Sequence, residues 1–233
     1  MTASLPRRVV AEAAGTALLV GIGTGAIVAA SRAGGVSQAW LAVAWFVAVA
    51  VPIFLFARLS GSHINPVVTL ALAIARRFPL RELPAYVGAQ LVGAFAGSFF
   101  VRVTLGNEAH LGATLPAGGD LGLTFLLEFV FTCLLILSVL WLTSEGTTVR
   151  WWDLLLPPLV VGVSTFLIGP WTGSSLNPAR TLAPGLLSGD VVGLWVYLVS
   201  VPLGSLSAVG LLRASQMRTR RSQGNARRAD PGR

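Results

Sequence analysis

A polar segment ending in Asn-Pro occurs twice inside long apolar sequence, and any fold of this chain must house both copies. Ser60-Gly61-Ser62-His63-Ile64-Asn65-Pro66-Val67-Val68-Thr69-Leu70 returns as Thr172-Gly173-Ser174-Ser175-Leu176-Asn177-Pro178-Ala179-Arg180-Thr181-Leu182. Asn is a preferred N-cap, and Pro at the first helical position gives up an amide hydrogen that would have had no partner. Each copy therefore predicts a loop that becomes a helix at its Asn, and a doubled helix start between membrane-length segments suggests a pore.

Apolar runs of spanning length, roughly 20 residues each, lie at Val9 to Ala30, Gln38 to Ala57, Pro84 to Leu105, Leu121 to Leu142, Asp153 to Gly169 and Val191 to Leu212. With 54% hydrophobic residues, 11% charged residues and a mean hydropathy of +0.75, the chain reads as an integral membrane protein. The first run is too long, and followed by too many like it, to read as a cleaved signal peptide.

The net charge of +8 raises a nucleic-acid partner, but all 17 cationic side chains are arginine and most sit where membrane topology would put them. Arg7 and Arg8 precede the first run, Arg76, Arg77 and Arg81 follow the first motif, Arg150 separates runs four and five, and seven more occupy the stretch from Arg213 to Arg233. These fall on one side when both termini are cytoplasmic, leaving chiefly Arg32 and Arg102 outside. Orientation accounts for the charge, and no nucleic-acid role is expected. The chain divides into a channel domain over 1–214 and an Arg-rich tail over 215–233, expected to be disordered and to meet anionic lipid headgroups.

Cys133 is the single cysteine, which excludes an intramolecular disulfide or paired-cysteine metal site. His63 and His110 lack partners at ligand spacing, and no catalytic triad, Walker loop or His-Glu-x-x-His sequence is present. The chain reads as neither an enzyme nor a cofactor or metal carrier.

The repeat extends beyond Asn-Pro. Glu12 precedes Thr16 by one turn in the first run, as Glu128 precedes Thr132 in the fourth. Each repeat, about 9–105 and 121–212, then holds a Glu-bearing span, a second span, the Asn-Pro segment and a third span. Three spans is an odd number, so the second repeat inserts upside down relative to the first. The segments Val67 to Ala75 and Ala179 to Leu187 give about 15 Å of helix at 1.5 Å per residue, half of a roughly 30 Å hydrocarbon core. Two such half-helices would meet N-terminus to N-terminus near the middle. A buried Glu beside each loop is expected to accept from its amides; proton coupling is the alternative role for Glu12 and Glu128.

These features resemble the aquaporins and glycerol facilitators, the major intrinsic protein family, over essentially the whole chain up to the tail. The family's box is Asn-Pro-Ala, intact here as Asn177-Pro178-Ala179 but altered to Asn65-Pro66-Val67 in the first copy, where the bulk of Val67 is expected to alter packing near the pore centre. The resemblance implies an all-α membrane protein with six transmembrane helices and two re-entrant half-helices. It also implies pore amides at Asn65 and Asn177, a selectivity filter of Trp45, Thr165, Ser174 and Arg180, and a homotetramer with one pore per subunit.

In the resembling family, water-selective members usually carry His where Thr165 stands, and glycerol facilitators a second aromatic near Ser174. This combination implies a constriction wider than a water filter and more hydroxylated than a glycerol filter, although Thr181 matches the water subtype. The expected function is passive passage of water and small uncharged solutes such as glycerol, urea or a neutral metalloid hydroxide like arsenous acid. A secondary transporter built on inverted repeats is the alternative, with Glu12 and Glu128 the available coupling groups. The setting expected is a bacterial plasma membrane.

Overall fold

The computed structural model describes residues 3–144 and 146–229, with side chains as far as Met217. Among these, regular structure is helical throughout: α1 (Leu5–Arg32), α2 (Gln38–Ser60), α3 (Pro66–Ile74), α4 (Leu83–Leu105), α5 (Leu121–Leu142), α6 (Leu156–Thr172), α7 (Pro178–Ser188) and α8 (Leu194–Ala229). Six of them, some extended by a short 3-10 turn, are long and apolar enough to cross a membrane; α3 and α7 are the two short ones. Of the tail expected to be disordered, the backbone to Ala229 continues α8, and residues 230–233 lie outside the described ones.

Two boundaries differ from the hydropathy reading for local reasons. Helix α1 begins at Leu5 rather than Val9, with Pro6 in its first turn and Arg8 neutralised by a nearly buried Glu82 carboxylate 2.7 Å away. The last span starts at Leu194 rather than Val191, because Gly193 takes a left-handed φ of 69° and turns the chain. Apolar Val191 and Val192 belong to that turn.

The two halves are built alike and exchange their short helices. α1 packs on α4 and α2, as α5 packs on α8 and α6, while α2 and α6 meet across the repeat boundary. α3 lies against α8 of the other half and α7 against α4 of the first half, and α3 and α7 touch each other. Trp40, Trp171 and Trp195 are exposed at one end of the bundle, and Trp141, Trp151 and Trp152 at the other. Amphipathic indoles in that arrangement form the aromatic belts of the two membrane interfaces.

Glycine sets the distance between the helices of each half. A methyl group on Gly93 would sit 2.1 Å from the Ala13 carbonyl oxygen, and one on Gly204, at the equivalent place in the second half, 2.3 Å from that of Phe129. Gly97 presses on Ala17 and faces Gly21 in the same way, so Gly21-x-x-x-Gly25 and Gly93-x-x-x-Gly97 are spent on the α1–α4 contact inside one chain. Gly93→Ala must push two backbones apart and is expected to cost about 1–3 kcal/mol, as overpacking does. Gly88→Ala meets nothing within 4 Å and is the control: thermal unfolding in detergent should drop sharply for the first and not for the second.

Candidate functional site

Each Asn-Pro loop hangs from one buried carboxylate. Glu12, with none of its surface exposed, accepts through Oε1 from Ser60 Oγ (2.7 Å) and the His63 amide (2.9 Å), and through Oε2 from the Ile64 amide (2.7 Å) and Gln90 Nε2 (2.8 Å). Glu128, equally buried, accepts through Oε1 from Thr172 Oγ1 (2.7 Å) and the Ser175 amide (2.8 Å), and through Oε2 from the Leu176 amide (3.0 Å). Both carboxylates are occupied by loop donors. A tyrosine completes each anchor: Tyr86 donates to the Ser60 carbonyl at 2.9 Å, and Tyr197 to that of Thr172 at 2.7 Å.

These anchors hold backbone that sterics disfavour. Gly61 and Gly173 end α2 and α6 at φ of 89° and 75°, which glycine adopts freely. Ser62, Ile64, Ser174 and Leu176 also have positive φ, between 45° and 53°. For a β-branched residue such as Ile64 that is a marked outlier, and residues in such regions cost on the order of 1–3 kcal/mol each. Hydrogen bonds to a charged partner contribute about 1.5–3 kcal/mol apiece, which is the scale needed to offset the strain.

The two Asn side chains close the centre reciprocally. Asn65 Nδ2 donates to the Leu176 carbonyl and Asn177 Nδ2 to the Ile64 carbonyl, both at 2.9 Å. Asn65 Oδ1 accepts from the Val67 amide, and Asn177 Oδ1 from the amides of Ala179 and Arg180, capping α3 and α7. Each amide nitrogen carries two hydrogens, so one remains on each side. Pro66 and Pro178 open the helices. Val67 points away from the lumen: it belongs to the core among Ile136, Val201 and Ala208, while its neighbour Val68 reaches the cavity. Its extra bulk is accommodated between the half-helix and α5 and α8, rather than at the pore centre.

A cavity of about 390 Å³ runs along these groups. Asn65, Asn177 and the Gly61–Ile64 loop line it, together with apolar Leu19, Val49, Ile53, Val68 and Leu72. Arg180, wholly buried, and Trp45 also border it. The guanidinium carbon lies 4.4 Å from the centre of the indole ring, within cation–π range. Nη1 donates to the Gly112 carbonyl at 2.8 Å and Nη2 to that of Gly173 at 3.3 Å, while Nε has no partner among the described residues. Gly23 makes room for the indole, since a methyl group there would lie 2.5 Å from it.

Thr165 and Ser174 are buried but do not border that cavity. Ser174 Oγ pairs with Ser164 Oγ at 2.9 Å, and Thr165 Oγ1 has no partner among the described residues. Of the four positions, the structure joins Trp45 to Arg180 directly. Thr181 hydrogen-bonds Ser175 and Thr114, which ties the second loop to the segment before α5. Sequence reasoning missed that segment, including Gly112, and missed Tyr86, Tyr197 and Gln90. The tyrosines left a signal: they are the only two in the chain, and each follows its acceptor carbonyl at nearly the same interval, 26 and 25 residues.

Comparison with known proteins identifies the family and the fold. The profile of the family described as Major intrinsic protein matches residues 1–217. The chain is 34% identical over 203 residues to Aquaporin NIP1-1 of Oryza sativa subsp. japonica, covering 86% of this chain and 71% of the relative. It is 32% identical over 203 residues to Nodulin-26 of Glycine max, covering 86% and 74%. The solved aquaglyceroporin from Plasmodium falciparum superposes with a TM-score of 0.76 at 29% identity, covering 89% of this chain and 95% of that one.

Proposed function

Because the chain belongs to the major intrinsic protein family and is a passive membrane channel for water and small solutes, not an enzyme, we propose how its own residues select what passes. Asn65 and Asn177 offer their free amide hydrogens to the oxygen of each passing molecule. The facing N-termini of α3 and α7 add positive potential, which disfavours cations and proton movement along the water file. Arg180 and Trp45 form the outer constriction, with Thr165 and Ser174 as further filter positions. Glu12 and Glu128 support the loops and move no protons.

The observation that carries this reading is the mixed lining of the cavity, whose polar groups come chiefly from the Asn-Pro loops and whose aliphatic groups include Leu19, Val49, Ile53, Val68 and Leu72. A solute with hydroxyls on one edge and C–H on the other keeps hydrogen bonds to the loop groups and avoids stranding polar groups against the aliphatic ones. Glycerol fits that description, and urea and arsenous acid share the small, uncharged, donor-rich character. Family membership further supports a homotetramer with a pore in each subunit. The Arg distribution supports cytoplasmic termini. The relatives compared are plant proteins and the solved neighbour is from Plasmodium falciparum, so the bacterial membrane expected from the sequence draws no support from them.

Proteoliposome flux tests the proposal. Uptake of glycerol, urea and arsenous acid is expected to rise nearly linearly with concentration and to ignore an imposed proton or sodium gradient. Saturation together with a gradient response would return the chain to the transporter alternative, and water flux with no solute flux would remove the hydroxylated-solute reading.

A further inference from the structure

A second concave site adjoins the pore cavity through Arg77, which borders both, and opens at the end of the bundle that carries the first residues of α1. It is an open groove of about 740 Å³ where α3 ends beside α8, lined by arginines 76, 77 and 213 with Phe78, Pro79, Leu80 and the last residues of α3. No carboxylate lines it among the described residues. Arg77 is committed to the end of α5, donating to the Leu140 carbonyl and Thr143 Oγ1. Arg213 Nη2 donates to the Ile74 carbonyl at 2.7 Å, closing the C-terminus of α3 while the guanidinium stays exposed. Arg76 is exposed and has no side-chain partner among the described residues.

The backbone at Arg76 is informative. Its φ is 61° at the turn that ends α3, where its amide bonds to Ala73 and that of Arg77 to Leu72. Glycine is the usual residue at such a left-handed helix stop, because it carries no penalty there. An arginine accepts strain in exchange for placing a cation at the rim of the groove. Glu82, six residues along the chain, does not neutralise it, since it is paired with Arg8. The level is that of a membrane surface, since Leu80 begins one spanning segment and Arg213 lies near the end of another. Leu80 is 66% exposed beside the arginines, an apolar contact next to a cationic one.

We propose that this groove binds the phosphate of an anionic phospholipid headgroup, with Arg76 and Arg213 on the phosphate and Leu80 against the start of an acyl chain. Basic pockets between helices at a membrane surface have this chemistry. A lipid is favoured over a free anion because the exposed leucine has no use in binding phosphate alone.

The test titrates the full-length protein in detergent with phosphatidylglycerol or phosphatidylcholine and reads bound lipid by native mass spectrometry. Phosphatidylglycerol should be retained preferentially. Arg76→Gly should weaken it about fivefold, and adding Arg213→Gln roughly thirtyfold, at the usual contribution of an arginine near a charged surface. Arg76→Gly should also leave the thermal midpoint unchanged or raise it, because glycine relieves the left-handed strain; this separates a binding role from a structural one. Arg32→Gln, at the last residue of α1 and the other end of the bundle, is the control for diffuse charge. Equal retention of the two lipids, unchanged phosphatidylglycerol binding in Arg76→Gly, or an equal loss in Arg32→Gln would each overturn the proposal. Displacement of the lipid by millimolar inorganic phosphate would overturn it in favour of a free-anion site.

Discussion

Arg180→Ala should turn a channel for neutral molecules into one that leaks cations. The guanidinium is fully buried and stacked on Trp45 at the cavity wall, and alanine removes both the charge and the bulk. A like charge at about 4 Å costs a passing cation about 4 kcal/mol at an effective dielectric constant of 20, close to a thousandfold in rate. Water flux should persist, because the central amides and half-helices are untouched. Arg180→Lys keeps the charge without the planar fork that reaches the Gly112 and Gly173 carbonyls together, so it should remain cation-tight while losing thermal stability. The measurement is proton and potassium leak in proteoliposomes beside stopped-flow water permeability. A cation-tight Arg180→Ala with normal water flux would mean that exclusion resides at the Asn-Pro centre alone.

What could be read from the sequence was whatever leaves a periodic or repeated signature. The six spans, the doubled helix start and the paired Glu12 and Glu128 follow from apolar run length, capping chemistry and the repeat. Inversion followed from the parity of three spans. What could not be read depends on contacts between distant segments with no shared spacing. Gly112 holds Arg180 through a carbonyl, and every residue has a carbonyl, so its identity says nothing about that bond. Gly23 is a glycine because Trp45 lies over it, a relation visible only once α1 and α2 are side by side. The resemblance put Trp45 in one constriction with Arg180, and the two meet, but it could not say whether the side chains of Thr165 and Ser174 border the lumen. Val67 shows the limit from the other side: its substitution for Ala was visible, but whether it faced the pore or α8 depended on the rotation of a nine-residue helix.

The near-symmetry of the halves also says where they should respond differently to the same change. Glu128→Gln replaces one carboxylate oxygen with an NH₂ group, which then faces a donor whichever way the amide is turned, since Thr172, Ser175 and Leu176 all donate. A buried donor left without an acceptor costs about 1–3 kcal/mol, and lost charge-assisted bonds add to that. In Glu12→Gln the new NH₂ group also faces a loop amide, His63 or Ile64, but it has a partial way out. Gln90, which donates to Glu12 Oε2 and Thr69 Oγ1, has a buried Oε1 without a hydrogen-bond partner among the described residues, so turning its amide over gives up the bond to Thr69 and presents an acceptor to the new NH₂ group. The second half has no such residue, because Val201 stands four residues after Tyr197 where Gln90 stands four after Tyr86. Glu128→Gln should therefore lower the thermal midpoint and solute flux more than Glu12→Gln, with any remaining flux in both indifferent to a proton gradient. The double variant Glu12→Gln with Gln90→Leu removes the compensating acceptor and should fall to the level of Glu128→Gln. Equal losses in the two single variants would show that the free oxygen of Gln90 does not rescue the first loop, and loss of a proton-driven component in either would make that carboxylate a coupling group.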